Sequence, residues 1–313
     1  MSTHTILGAG GVIANSLAQE LIARQLPVRL VSRHPAGQIG ATTHAADLTD
    51  PAQALEAIRD SSVVYLCVGL KYDFSVWRRD WPRIMDNTIE ACKKTKARLI
   101  FFDNVYMYGM TDGGMTEETP YDPSSRKGDL RARIATQLMS EVRKGNITAI
   151  IARAADFYGP GAGHSGIPNL LVFQRLKKDQ RAQWLVNAHV RHSFTYTPDA
   201  AKALYLLATN DDSWNQAWHL PTASVLLTGA EWIEQAAFAL GKAPRYTILS
   251  KWMVRLGGLF DKTTAELYEM LYQYEFDYLF DSSKFEKAFH FQPTSYEEGI
   301  KATANAYKND TGF

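Results

Sequence analysis

The sequence predicts an α/β chain, a doubly wound parallel sheet with a smaller lobe interleaved toward the C-terminus. Three observations predict it. Short apolar runs alternate with helical patterns through the first half of the chain. Those runs, such as Val63-Val64-Tyr65-Leu66-Cys67-Val68, are apolar on both faces, as strands are when helices cover a sheet on both sides. After Arg153 the alternation gives way to a Gly/Pro loop and to segments rich in Trp, Tyr and Phe.

The elements follow in order. His4 to Leu7 reads as a strand. Val12 to Gln25 reads as a helix with Ile13, Leu17, Leu21 and Ile22 on one face, and Pro27 marks the turn out of it. Val28 to Val31 is a second strand and Thr42 to Ala46 a short third. Pro51 to Arg59 is a helix whose proline suits the first turn. Val63 to Val68 is a strand, Trp81 to Thr95 a helix, Leu99 to Phe102 a strand, Arg126 to Lys144 a long helix and Thr148 to Ala152 a strand. The sheet domain is expected at residues 1–155 plus about 193–221, and the lobe at about 156–192 and 222–313.

Composition narrows the function classes. With 313 residues, 46% hydrophobic and 21% charged, the chain can bury a sizeable core without metal or disulfide support. A formal net charge of +1 favours neither nucleic acid nor an anionic membrane. No apolar stretch approaches the length of a membrane span, and Met1 to His4 leads straight into the first strand, so a cytoplasmic protein is expected. Cys67 and Cys92 are isolated, which fits buried thiols in a reducing compartment. His189 and His192 have no carboxylate or cysteine at ligand spacing, so no metal site is expected. There is no Gly-x-Ser-x-Gly elbow for serine chemistry. The aromatic residues between Trp252 and Phe280 read as core and pocket lid.

Gly8-Ala9-Gly10-Gly11-Val12-Ile13-Ala14 lies between the first strand and the first helix. Gly8 permits the tight turn, Gly11 lets backbone approach a pyrophosphate, and Ala14 allows close helix–strand contact. In that context the pattern is the fingerprint of a Rossmann-type dinucleotide site, with Gly8, Gly10, Gly11, Val12 and Ile13 as cofactor contacts. The second strand ends at Ser32-Arg33, where an NAD site usually carries Asp or Glu for the ribose 2′-hydroxyl. Without that carboxylate a 2′-phosphate is not repelled, and Arg33 offers it a bidentate partner. NADP(H) is therefore favoured, with NAD(H) as the alternative. Asp47, before Leu48, is either an acceptor for the adenine amino group or a turn acid beside Pro51. Val68 and Gly69 end the fourth strand, where backbone lies under the cofactor ribose.

With these residues the chain resembles the extended short-chain dehydrogenase/reductases of the NAD-dependent epimerase/dehydratase group. The glycine loop matches that family's Gly-x-x-Gly-x-x-Gly/Ala. Asn87 to Cys92, Phe101 to Gly109, Phe157-Tyr158-Gly159-Pro160-Gly161, Thr195 to Ala201 and the tail from Asp281 to Gly299 match its later segments in order. The resemblance implies an oxidoreductase or epimerase/dehydratase acting on a small molecule, with Tyr158 lining the pocket near the nicotinamide. It also implies a homodimer through the helices carrying Trp81 to Thr95 and Arg126 to Lys144.

The catalytic positions depart from that pattern. The family places Ser or Thr four residues before the tyrosine of Val-Tyr-Gly; here that position is Asn104, ahead of Met107-Tyr108-Gly109. The family's Tyr-x-x-x-Lys falls on Lys127-Gly128-Asp129-Leu130-Arg131. Lys127 can replace the tyrosine as proton donor, and Arg131, one turn on, can hold ribose hydroxyls; alternatively the pair grips a substrate carboxylate or phosphate. The plain reading is that both are solvated helix cations. Asn104 is either an amide donor to a carbonyl oxygen or a loop cap. Asp103, Tyr106 and Tyr108 are reserves, Tyr108 as a relocated acid. A second function class stays open: a dinucleotide-binding sensor or partner-binding protein without hydride chemistry.

Overall fold

The computed structural model describes residues 3–309 apart from 112 and 164. Its elements in chain order are β1 (Thr3–Leu7), α1 (Val12–Ala23), β2 (Val28–Ser32), β3 (Ala41–Ala45), α2 (Pro51–Ile58), β4 (Ser61–Leu66), α3 (Phe74–Thr95), β5 (Arg98–Asp103), β6 (Gly114–Met115), α4 (Arg126–Arg143), β7 (Ala149–Arg153) and β8 (Asp156–Tyr158). They continue through α5 (Gln174–Lys177), β9 (Ala182–Leu185), β10 (Phe194–Tyr196), α6 (Thr197–Thr209), β11 (Ala217–His219), α7 (Gly229–Leu240) and β12 (Tyr246–Leu249). The last are α8 (Lys251–Gly257), α9 (Lys262–Leu267), β13 (Leu279–Phe280), α10 (Ser283–Phe289) and α11 (Tyr296–Asn309).

Seven strands form one sheet in the order β11-β7-β5-β4-β1-β2-β3. Every pair from β3 through to β7 is parallel. Ile6, Leu7, Leu30, Val31, Val64, Leu66, Leu99 and Ile150 are all buried, so the central strands carry the continuous apolar runs that two covered faces require. The strand order reverses between β1 and β4, the switch point at whose carboxyl edge ligands of such sheets sit. On α1 the buried face is Ile13, Leu17 and Leu21, as its periodicity predicts.

The chain divides into two compact units, residues 1–107, 126–153 and 200–218, and residues 108–125, 154–199 and 219–313. Residues 108–125 and 193–199, besides a few at the boundaries, fall in the second unit although the sequence reading assigns them to the first. Residues 108–125 belong there because β6 pairs with β13 and the Glu117 carboxylate accepts from the His219 backbone N–H. Residues 193–199 belong there because β10 pairs with β8 and Asp199 accepts from Thr294. The core of this unit is aromatic, built on Tyr158, Phe173, Trp184, Phe194, Trp232 and Tyr296. No helix among the described residues is long and apolar enough to cross a membrane.

α3 differs most from expectation. It starts at Phe74 rather than Trp81, capped by Asp73, whose side chain accepts from the Ser75 N–H. Pro82 therefore lies inside the helix and not in its first turn. The extra turns stand above the carboxyl edge of the sheet, because a helix following β4 runs antiparallel to it.

Candidate dinucleotide site

The turn between β1 and α1 is shaped by its glycines. Gly8 has φ of +101° and Gly10 of +95°, a region closed to most side chains. The N–H groups of Gly8 and Ala9 both donate to the Val31 carbonyl, at 2.8 and 2.9 Å, which ties the turn to β2. A Cβ on Gly8 would lie 2.7 Å from the Cys67 carbonyl oxygen. Gly10 faces open space, and a Cβ on Gly11 would meet nothing closer than the Gly8 oxygen at 3.4 Å. Gly11 caps α1 with no side chain, and the first bond of the helix is Asn15 N–H to Gly11 oxygen at 2.9 Å. The N–H groups of Val12, Ile13 and Ala14 thus stand ahead of the helical ladder at the positive end of its dipole. This backbone cradle, open where a phosphate would approach, fits the diphosphate of a dinucleotide.

At the end of β2, Ser32 is half-buried and Arg33 exposed. The Ser32 carbonyl accepts from Ala46 N–H at 3.0 Å, so the segment leaving β3 runs beside it. Asp47 is engaged as a turn acid: one carboxylate oxygen accepts from the Thr49 N–H at 2.9 Å and from its hydroxyl at 2.8 Å. Of the two roles left open for Asp47, the turn role is thus filled on that oxygen. Leu48 is buried, and its carbonyl accepts from Asn87 Nδ2 at 2.9 Å. Val68 is half-buried and Gly69 exposed, both beyond the end of β4.

Asn104 acts as a loop cap. Its Oδ1 accepts from Tyr106 N–H at 3.1 Å, closing the turn at Tyr106–Tyr108, and this leaves Nδ2 for a ligand. Lys127 and Arg131 are both buried, at 0% and 3% exposure, so neither is a solvated helix cation. The Lys127 ammonium lies 4.6 Å from the centre of the Tyr72 ring. Arg131 has a different partner from the expected ribose. Its Nε donates to Asp103 Oδ1 at 2.8 Å and its Nη2 donates to the same oxygen. The other Asp103 oxygen lies 3.6 Å from Arg153 Nε. The guanidinium packs over Trp81 and Phe101, at 4.4 and 4.8 Å from their centres. A guanidinium this deeply buried requires a carboxylate, and Asp103 supplies it, so only Nη1 and the second Nη2 hydrogen are left for other contacts.

Two further tyrosines belong to the second unit. The Tyr108 hydroxyl is 2.7 Å from His219 Nε2, and His219 Nδ1 is 2.8 Å from the Asp281 carbonyl. A carbonyl only accepts, so Nδ1 carries the proton and Nε2 accepts from Tyr108. Tyr158, expected to line the pocket, instead fills the aromatic core. Its ring centre is 4.9 Å from that of Trp232, and its hydroxyl faces Gly299, where a Cβ would approach to 2.2 Å. Burial pushes its phenol well above the ordinary range. That unit also carries a cavity of about 530 Å³ lined in part by Met110, Arg191, Phe276 and Asp277. No group of three or more His, Cys, Asp or Glu among the described residues is placed to hold a metal ion.

The sequence model of the NAD dependent epimerase/dehydratase family matches residues 4–219, more than half of the chain. The chain belongs to that family. A curated relative, dTDP-4-dehydrorhamnose reductase of Mycobacterium tuberculosis, is 26% identical over 211 residues; the match spans 65% of this chain and 64% of that protein. Among solved structures, UDP-glucose 4-epimerase of Thermus thermophilus in complex with NAD superposes with a TM-score of 0.80 at 18% identity, covering 99% of each chain. The dTDP-glucose 4,6-dehydratase of Bacillus anthracis in complex with NAD gives 0.81 at 14% identity, covering 99% of this chain and 98% of that one. These likenesses extend the epimerase/dehydratase fold over the segments beyond residue 219.

Within this family member the glycine loop and the ends of β2 and β4 lie together at the switch point of one sheet. Asn104 and the α4 pair Lys127 and Arg131 follow β5 of that sheet, whereas Tyr108 and Tyr158 belong to the second unit. Sequence reasoning missed the pairing of Asp103 with Arg131, which joins residues 28 apart in the chain. It also missed the early turns of α3, whose only local signal is Asp73 followed by an apolar periodic run.

Proposed function

We propose that this chain is an NAD(P)-dependent oxidoreductase or epimerase/dehydratase-like enzyme, acting on a carbonyl or alcohol carbon of a small molecule, with NADP(H) as the favoured cofactor. The observation that carries the reading is the glycine cradle at the head of α1 beside a β2 end that has Arg33 and no carboxylate. Gly8, Gly10, Gly11 and the N–H groups of Val12 and Ile13 hold the diphosphate, and Arg33 takes the 2′-phosphate. A nicotinamide bound there would supply the hydride donor or acceptor. Lys127 stands at the family's tyrosine position and holds the exchangeable proton at Nζ, while Asn104 Nδ2 donates to the substrate oxygen. Arg131, held by Asp103, anchors the first turns of α4 and so positions Lys127.

The relatives' names point to nucleotide sugars, so a nucleoside diphosphate ketosugar belongs in the substrate panel beside simple aldehydes and ketones. Purified protein is assayed for saturable oxidation of NADPH and NADH, with Lys127→Ala in parallel. Turnover lost in Lys127→Ala supports the enzyme. Turnover kept in that variant removes Lys127 from the chemistry.

One observation favours a second reading. Arg131, where the family has its lysine, is tied into the core by Asp103. This suits a protein that binds the dinucleotide as a sensor or partner-binding module. Tight NADPH binding without turnover across the panel would favour it. A homodimer through α3 and α4 is part of the first reading, and sedimentation as a single monomeric species would remove it.

A further inference from the structure

β2 and β3 pair with Ser32 opposite Ala45, so the residues that follow, Arg33 on one side and Ala46 to Leu48 on the other, leave the sheet together at its carboxyl edge. α3 is fastened to this edge by Asn87, whose Nδ2 donates to the Leu48 carbonyl at 2.9 Å. Helical residues four apart share a face. Arg83 therefore stands one turn above Asn87 on the same side, and Arg79 one turn above that. This is the overhanging part of α3, on the side of the sheet where a dinucleotide lies.

The charges there converge. Arg79 clamps Asp80 with two bonds, Nε to Oδ1 at 2.6 Å and Nη2 to Oδ2 at 2.8 Å. After Arg79, Arg83 on α3 and Arg33 just past β2 also draw the Asp80 carboxyl below its usual range. Neither Arg33 nor Arg83 makes an ion pair with another residue among those described. Both are exposed, and the cluster carries an excess of positive charge. Two exposed arginines carried to this edge by different elements can make a fork for a phosphate dianion.

We propose that Arg83 is a specificity-determining residue that shares the adenosine 2′-phosphate of NADP(H) with Arg33. The inference rests on the NADP(H) reading given above and extends it to α3, where the sequence offers no fingerprint residue for this task.

Calorimetric titration with 2′,5′-ADP and 5′-AMP tests it without any turnover, on wild type, Arg33→Ala, Arg83→Ala, Arg83→Lys and Arg78→Ala, with inorganic phosphate as a separate titrant. Wild type is expected to prefer 2′,5′-ADP over 5′-AMP. Arg83→Ala should cut that preference about tenfold, the size of one charge-assisted hydrogen bond, and leave 5′-AMP affinity unchanged. Arg83→Lys should recover part of it. Arg78→Ala, on another face of α3, should leave the preference intact. A preference that survives Arg83→Ala but collapses in Arg33→Ala overturns the role of Arg83 and keeps the NADP(H) reading. Equal loss for both ligands overturns it too, because the effect is then not on the 2′-phosphate. Absence of any preference in wild type overturns the NADP(H) reading itself. Inorganic phosphate binding as tightly as 2′,5′-ADP would make this a free-phosphate site and overturn the assignment to the dinucleotide.

Discussion

Gly8 and Gly10 share a positive φ, +101° and +95°, but not their surroundings. At Gly8 a Cβ meets the backbone of Cys67 and Val68 at 2.7 Å, whereas at Gly10 it meets nothing within 4 Å. Gly10→Ala should therefore cost only backbone strain, about 1–3 kcal/mol. Gly8→Ala should cost more than Gly10→Ala and also abolish dinucleotide binding, because the turn must move away from β4. Urea unfolding of both variants, with NADPH titration, checks the ranking; equal losses would contradict it. Asp103→Ala leaves Arg131 buried without its carboxylate and also takes the carboxylate beside buried Arg153; it should cost about 3–5 kcal/mol, with the Arg131 share recovered in the Asp103→Ala/Arg131→Met double variant. Additive losses in that cycle would deny the coupling. The glycines were legible in the sequence because a positive φ restricts residue type locally. The Asp103–Arg131 pair was not, because the need for a carboxylate arises only once α4 is packed on β5. Tyr158 shows the same limit: its place in the motif suggests a pocket wall, and packing among Trp232 and Tyr296 makes it core.

At the scale of elements, the buried strands were legible because parallel pairing under two helical layers demands unbroken apolar runs. The two-residue strands β6 and β13 were not, since pairing so short leaves no period to read. α3 was read as starting at Trp81, while its cap, Asp73, lies eight residues earlier. α7 carries a local start signal that the sequence reading left unused. Thr228 accepts from the Glu231 N–H, and the Glu231 carboxylate accepts from the Thr228 N–H at 2.8 Å, a capping box written in four consecutive residues. Thr228→Ala should cost about 1 kcal/mol, within the range for lost N-caps, as a shift of the urea midpoint with unchanged slope. No shift would mean that packing alone holds that end of α7.

Across the whole molecule, the sequence reading placed the second unit's start too late, because residues 108–125 join it only through β13 and His219. Both units nevertheless share one property that follows from burying thiols and phenols without an acceptor for their charge. Burial pushes the Cys67 and Cys92 thiols up to about 12. Burial likewise raises the phenols of Tyr65 in the first unit and of Tyr158, Tyr278 and Tyr296 in the second. Below the ordinary thiol and phenol values, both folded and unfolded chains keep these protons, and the stability they accompany is fully present. Above those values the unfolded chain releases them while the folded chain holds them, so stability must fall as pH rises. Each group then costs up to about 1.4 kcal/mol per pH unit. The loss should begin near pH 9 with the thiols and steepen near pH 10 with the phenols. Urea midpoints measured from about pH 7 to about pH 10.5 should decline with that curvature. A disulfide reagent at about pH 8 should find no reactive thiol in the folded protein and both in the unfolded one. A midpoint that stays level past about pH 10, or rapid labelling of the native thiols, would mean that solvent reaches these groups and that the packing around them is looser than described.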